Sequence, residues 1–316
     1  MSDCQTFTSK IFCEGKTAVI TGASSGIGKG TALFCASKLM KVYMLDIDEN
    51  MLTEAFEEVK NASQNAFVQI EVVDVADFDA MQAVAKKIFD NGGNCNFLMN
   101  NAGIGGGGGG SSMTPLHHIH KTVGVNTYGP IHGCQAFLPL MKLQGSDTSL
   151  IVNTGSKQGI TMPPGNLIYN MSKAALKTYT EGLEHELRTE RMKNDDFNIY
   201  CALLVPGWVN TSIVLKAMRS ESEESSTDFD VDKVFFHEKK PADGAWMPKQ
   251  VVDFMIKELD QGRFYIICPD NDVNRETDNL RMTWTMQDIT LNRPPLSRWH
   301  PEYKDKFTAF HAENKK

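Results

Sequence analysis

A short apolar run, Thr17-Ala18-Val19-Ile20, stops at Thr21-Gly22-Ala23-Ser24-Ser25-Gly26-Ile27-Gly28, where a helical pattern of Ile27, Thr31, Leu33, Phe34 and Leu39 begins. A strand that passes through a glycine turn into a helix is the first half of a β-α-β unit, and that unit commits the chain to a parallel sheet with crossover helices. The alternation continues. Strand candidates at 42–45, 66–73, 97–99, 150–153, 200–205 and 264–268 are separated by helix-length stretches at 49–60, 79–90, 114–141, 168–192 and 249–260. The expected fold class is α/β, a doubly wound parallel sheet, in which ligands bind beyond the carboxyl ends of the strands. No internal repeat interrupts this order, and the notable Gly and polar clusters fall at strand ends.

Composition narrows the function. With 316 residues, 41% of them hydrophobic, the chain buries a sizeable core without staples. Its 39 acidic against 32 basic side chains give a net charge of −7, which offers no general field for phosphate backbones, so nucleic acid is not an expected partner. The seven cysteines, Cys4, Cys13, Cys35, Cys95, Cys134, Cys201 and Cys268, form no C-x-x-C pair and read as reduced thiols. The N-terminus has no leader pattern and no window has the apolar length of a membrane span. A soluble, cytoplasmic protein is the expectation, with no metal, since His117-His118-Ile119-His120 lacks accompanying ligands and reads as an exposed helix start.

The glycine turn suits a pyrophosphate, because glycines let backbone N–H groups approach it and the positive end of the following helix meets its charge. Asp46 ends the next strand eighteen residues beyond Gly28, where a carboxylate would accept bonds from ribose hydroxyls and repel a 2′-phosphate. NAD is therefore expected rather than NADP. Asp74, ending the third strand, fits an adenine-edge contact or a helix cap. Tyr169-Asn170-Met171-Ser172-Lys173 places a phenol and an ammonium on one helix face, and a nearby positive charge is one way to lower the pKa of a tyrosine that exchanges protons. Ser156 follows a strand through a small-residue turn and is free to hold a substrate oxygen beside Tyr169. Asn126 is a polar residue inside a helical segment, placed to kink it or to hold a water.

These motifs, together with Asn100-Asn101-Ala102-Gly103 and Pro206-Gly207, resemble in order and spacing those of the short-chain dehydrogenase/reductase family. The resemblance covers residues 14–268 of a single Rossmann-like domain spanning 1–316, with a substrate lid at about 212–247 and a C-terminal extension at 270–316. It implies that Tyr169 is the general acid/base, that Ser156 orients and polarises the carbonyl or alcohol, that Lys173 lowers the Tyr169 pKa and binds the nicotinamide ribose, and that Asn126 maintains a water-linked proton relay. It places the cofactor on Gly22, Ser24, Ser25, Gly26, Ile27 and Gly28, then on Asp46, Asp74 and Val75. The groove would be lined by Asn101, Ala102 and Gly103, with Tyr169, Lys173, Pro206, Gly207, Val209 and Thr211 at the nicotinamide end.

The activity implied is NAD-dependent hydride transfer at a secondary alcohol/ketone carbon. Ile213, Val214, Leu215, Met218, Val234, Phe235, Phe236, Trp246 and Met247, with Trp208 and Met162, suggest an apolar, lipid-, steroid- or hydroxy-fatty-acid-like substrate. The alternatives are an NADPH-linked carbonyl reductase and a non-catalytic NAD-binding scaffold or sensor of the same fold. A homodimer or homotetramer is expected through the helices around 114–141 and 168–192. Three features depart from the pattern. Gly155 stands where a second Ser is common and is expected to loosen the Ser156 turn; Gly105 to Gly110 is a glycine run read as a tolerated loop; and the aromatic tail after residue 270 is expected to dock on something.

Overall fold

The computed structural model describes residues 6–63, 67–105, 114–211, 213, 244–270 and 273–315. Seven parallel strands, β1 (Thr17–Thr21), β2 (Lys41–Asp46), β3 (Val68–Val72), β4 (Phe97–Asn100), β5 (Ser149–Thr154), β6 (Ile199–Val205) and β7 (Tyr265–Ile267), form one sheet in the order β3-β2-β1-β4-β5-β6-β7. The strand order reverses at β1, whose neighbours are β2 on one side and β4 on the other, so a crevice opens beyond the ends of β1 and β4. The fold is the doubly wound, Rossmann-like α/β arrangement expected from the alternation.

Helices cover both faces. Successive strand residues point to opposite sides: Ala18 and Ile20 join the core under α1 (Gly26–Ser37), α2 (Glu49–Ala62) and α8 (Pro248–Asp260), while Val19 joins the one under α3 (Phe78–Asp90), α5 (Gly129–Met141) and α7 (Leu167–Lys193). This is why the central strands read as continuous apolar runs rather than alternating ones. A third, smaller cluster of Leu203, Val205 and Ile267 lies at the β6–β7 edge, with Ile160 and Met282 packed against it.

The structure departs from the sequence reading in several places. The stretch 114–141 is not one helix: α4 (Leu116–Val123) gives way to a π-helical turn, Gly124–Tyr128, before α5. Strand β3 ends at Val72, so Asp74 lies in the following loop, where its carboxylate accepts from Ala76 N–H at 2.9 Å, and it is Asp77 that caps α3. The tail is also ordered. Helix α9 (Arg275–Thr290), two short 3-10 turns and α10 (Lys304–Asn314) pack around Trp284, whose ring lies 5.3 Å from Phe307 and 5.2 Å from Phe310. It docks on its own chain, against the short helix α6 (Gln158–Thr161). The expected lid at 212–247 falls outside the described residues except Ile213 and 244–247, as does the glycine run beyond Gly105. No helix among the described residues is long and apolar enough to cross a membrane.

Candidate active site

The glycine turn lies at the crevice. Gly22 has φ +64° and Gly26 φ +55°, backbone that favours glycine. A Cβ at Gly28 would come 2.1 Å from Gly22 O, and one at Gly22 would come 2.8 Å from Ala102 Cα, so the turn is closed by strand β4's following loop. Thr21 ties the two together: its Oγ1 accepts from the N–H groups of Asn101 and Ala102 at 3.0 and 3.1 Å. The Asn101 side chain in turn donates to Thr21 O and Gly22 O. Ser24 Oγ is buried without a partner among the described residues, beside the start of α1. Glycines that leave no room for a Cβ, an orphan hydroxyl and a helix N-terminus together fit a bound dinucleotide phosphate.

Asp46 is only 7% exposed, and its Oδ2 accepts from Ser24 N–H at 3.0 Å while Oδ1 accepts from Asp48 N–H at 3.2 Å. It is a wall of the turn rather than a solvated strand end. Val75 is buried and its carbonyl is bonded by His132 Nδ1, so it lies deeper than the exposed Asp74. Thr211 reaches the glycine turn itself, where a Cβ at Gly26 would meet its methyl at 2.9 Å, and Val209 pairs with Trp246.

The remaining polar residues converge at the ends of β4 and β5. Lys173 is 3% exposed and its Nζ donates to Thr154 O at 2.8 Å. Burial pulls its ammonium down to about 8. The Nζ lies 5.8 Å from the Tyr169 ring centre. Burial pushes the Tyr169 phenol above its ordinary value, and a hydrogen bond with Ser156 works against that rise. The i, i+4 spacing of Tyr169 and Lys173 predicts a lowered phenol, and the structure has it raised. With the protein alone, desolvation outweighs any help from Lys173, because the ammonium is itself desolvated and turned toward Thr154.

Asn126 is fully buried in the π turn. Its Oδ1 accepts from Ile104 N–H and its Nδ2 donates to Ile104 O, both at 2.9 Å, and Nδ2 also donates to Ser172 Oγ at 3.2 Å. One side chain thus joins the loop after Gly103 to the helix that carries Tyr169. The wider π turn lets an interior residue make these contacts, a common use of such turns at functional sites. Gly103 sits against both, with a notional Cβ 3.4 Å from Asn126 Oδ1 and 3.5 Å from Lys173 Nζ.

Gly155 does not loosen the turn before Ser156. It is buried, its N–H donates to Leu204 O at 2.7 Å, and a Cβ would press within 3.1 Å of Leu203 Cδ1. A side chain here would need Leu203 on β6 to give by a few tenths of an ångström. Sequence reading missed Thr154, Ser172 and Lys157, which act through a backbone carbonyl, a hydroxyl and an ion pair; none carries a motif of its own.

Comparison with known proteins agrees with this geometry. The family model described as short chain dehydrogenase matches residues 16–222. SadH of Mycobacterium tuberculosis is 31% identical over 214 residues, 68% of this chain and 74% of that protein. A 1-deoxy-11-beta-hydroxypentalenate dehydrogenase of Streptomyces avermitilis is 28% identical over 269 residues, 85% of this chain and 90% of the relative. The crystal structure of a short chain dehydrogenase/reductase from Burkholderia phymatum in complex with NAD superposes with a TM-score of 0.75 at 30% identity, covering 90% of this chain and 97% of the other. A glycine cradle at the sheet's switch point, a Ser-Tyr-Lys cluster beside it and a family match over most of the fold place this chain in the short-chain dehydrogenase family of oxidoreductases.

Proposed function

We propose that the chain is an NAD-dependent dehydrogenase/reductase that interconverts a secondary alcohol and a ketone on an apolar substrate. The observation that carries this reading is the convergence of Ser156, Tyr169, Lys173 and Asn126 at the strand ends next to the glycine cradle. A bound nicotinamide dinucleotide supplies the hydride donor or acceptor. The protein's part is to position substrate and to move a proton. Ser156 Oγ holds the substrate oxygen, and the Tyr169 phenol, hydrogen-bonded to it, takes or gives the hydroxyl proton. Lys173 and Thr154 hold the ribose side of the site, and Asn126 keeps the Ile104 backbone and the Tyr169 helix in register.

Two features support NAD. Asp46 places a carboxylate at the end of β2, where it opposes a 2′-phosphate, and the Burkholderia structure holds NAD. The exposed Trp208, whose carbonyl accepts from Trp246 N–H, supports an apolar substrate, and the Streptomyces relative is named for a hydroxylated substrate. The test is nicotinamide absorbance with sterols, hydroxy-fatty acids, aliphatic alcohols and polyols, each with NAD and NADP, beside Tyr169→Phe. Turnover with NAD that falls by about 10²–10⁴-fold in Tyr169→Phe is expected. Preference for NADP overturns the cofactor assignment. Silence on every substrate with intact NADH binding overturns the enzyme reading in favour of a scaffold or sensor.

A further inference from the structure

The tail folds back onto the turn that carries Ser156. Lys157, the next residue, has a side chain 14% exposed, and its Nζ lies 2.7 Å from Asp278 Oδ2 and 3.2 Å from Asp270 Oδ2. Asp278 stands in the first turn of α9 and is 4% exposed. Two more contacts join the same elements. Trp299 Nε1 donates to Thr161 O at 3.4 Å, and Met282 packs with Ile160 on the β6–β7 edge.

Residue 157 is also tied by its backbone. Its N–H donates to Pro206 O at 3.2 Å and its carbonyl accepts from Thr161 Oγ1 at 3.1 Å. Asp270 abuts the facing wall, since a Cβ at Gly207 would come 2.5 Å from its Oδ2. On the opposite side α6 presses on α7 at the lysine of the site: a Cβ at Gly159 would come 2.6 Å from the Lys173 carbonyl carbon. The short stretch 157–161 is therefore clamped between the tail and the helix that bears Tyr169 and Lys173.

We infer that Lys157 and Asp278 are positioning residues, through which the C-terminal segment holds the Ser156 turn and the Pro206–Gly207 wall in their working geometry. The inference rests on the reading of Ser156 and Tyr169 as the reacting pair. A buried ion pair seldom stabilises a fold more than apolar side chains of the same volume would, but it fixes the relative placement of the elements it joins. Here it joins the residue after Ser156 to two segments beyond residue 268. Burial raises the Asp278 carboxyl while Lys157 lowers it, so the carboxylate depends on this partner.

The test compares amide hydrogen exchange of the full chain, without ligand, in wild type, Asp278→Asn and Lys157→Met. Exchange at 157–162 is expected to quicken at least tenfold in both variants, with 17–37 unchanged. In both variants kcat falls at least tenfold, and Asp278→Glu restores part of the loss. Unchanged exchange at 157–162 overturns the inference whatever activity does. Faster exchange with unchanged kcat overturns it as well, because the turn would then not need holding. Should Asp278→Asn not fold, Trp299→Phe, which removes the bond to Thr161 O and keeps an aromatic ring under Arg298, gives the same comparison. A wild type with no turnover that depends on Tyr169 fails the dehydrogenase reading instead, and exchange alone then decides whether the tail holds the turn.

Discussion

The phenol of Tyr169 is raised by burial, and its hydrogen bond with Ser156 works against that rise. Alcohol oxidation needs the phenolate to accept a proton, whereas carbonyl reduction needs the phenol to give one. Since kcat/KM reports the free protein, its value for oxidation is expected to rise with pH from neutral upward, while that for reduction holds level and then falls; initial rates against pH in both directions check this. Lys173, drawn down to about 8, loses its charge in the same range, so the oxidation profile should bend above that pH as the ammonium beside the site disappears. At the other end of the crevice, Asp46→Ala removes both the carboxylate and its bond to Ser24 N–H. Losing a bond to a charged group costs about 1.5–3 kcal/mol, so the Kd for NAD is expected to rise by about 10- to 100-fold with a smaller change for NADP, measured by titration with both. An equal loss for the two would show that Asp46 only shapes the turn.

Helices and turns set these side chains, and here glycine decides more than any polar residue. Helix α6 crosses α7 so closely that Gly159 has backbone where a Cβ would stand, 2.6 Å from the Lys173 carbonyl carbon. Gly159→Ala must push the two helices apart. A destabilisation of about 1–3 kcal/mol is expected from such overpacking, seen as a lower melting temperature together with a loss of kcat, because Lys173 moves with its helix. Asn126 makes the same point from the other side. A polar residue inside an apparent long helix was legible as unusual, but the π turn that aims it at Ile104 and Ser172 was not, since its extra residue per turn leaves no periodic mark over only Gly124–Tyr128. The Gly155 turn was misread for a related reason: glycine reports that no side chain is present, and only the packing of β6 reveals whether the cause is freedom or crowding.

At the scale of the whole molecule, seven strands divide two cores, and the tail builds a third contact region over the β6–β7 edge. The tail has its own centre, in which Asp288 accepts from Arg293 at 2.9 Å and from Ser297 Oγ at 2.6 Å, and Arg293 stacks on Trp284 at 3.8 Å. It is thus an ordered cover and not a loose appendage. Beside α7 on the same face of the sheet, a groove between α5 and α7 is lined by Leu138, Leu183 and Leu187 with charged side chains around them. A homodimer or homotetramer joined through this face is the expected outcome of sedimentation equilibrium; a monomer at micromolar concentration would overturn it.

The order of strands and helices, the glycine cradle, Asp46 and the Ser-Tyr-Lys set were all present in the sequence, because periodicity, the φ freedom of glycine and the i, i+4 spacing are local properties of the chain. What surrounds those residues was settled by contacts between segments far apart in the chain. The rise in the Tyr169 pKa comes from the burial of its phenol, the close packing at Gly155 comes from β6, and the partners of Lys157 lie 113 and 121 residues further on. Burial and long-range ion pairing depend on which surfaces meet, and that is decided only when the sheet has closed and the tail has docked upon it.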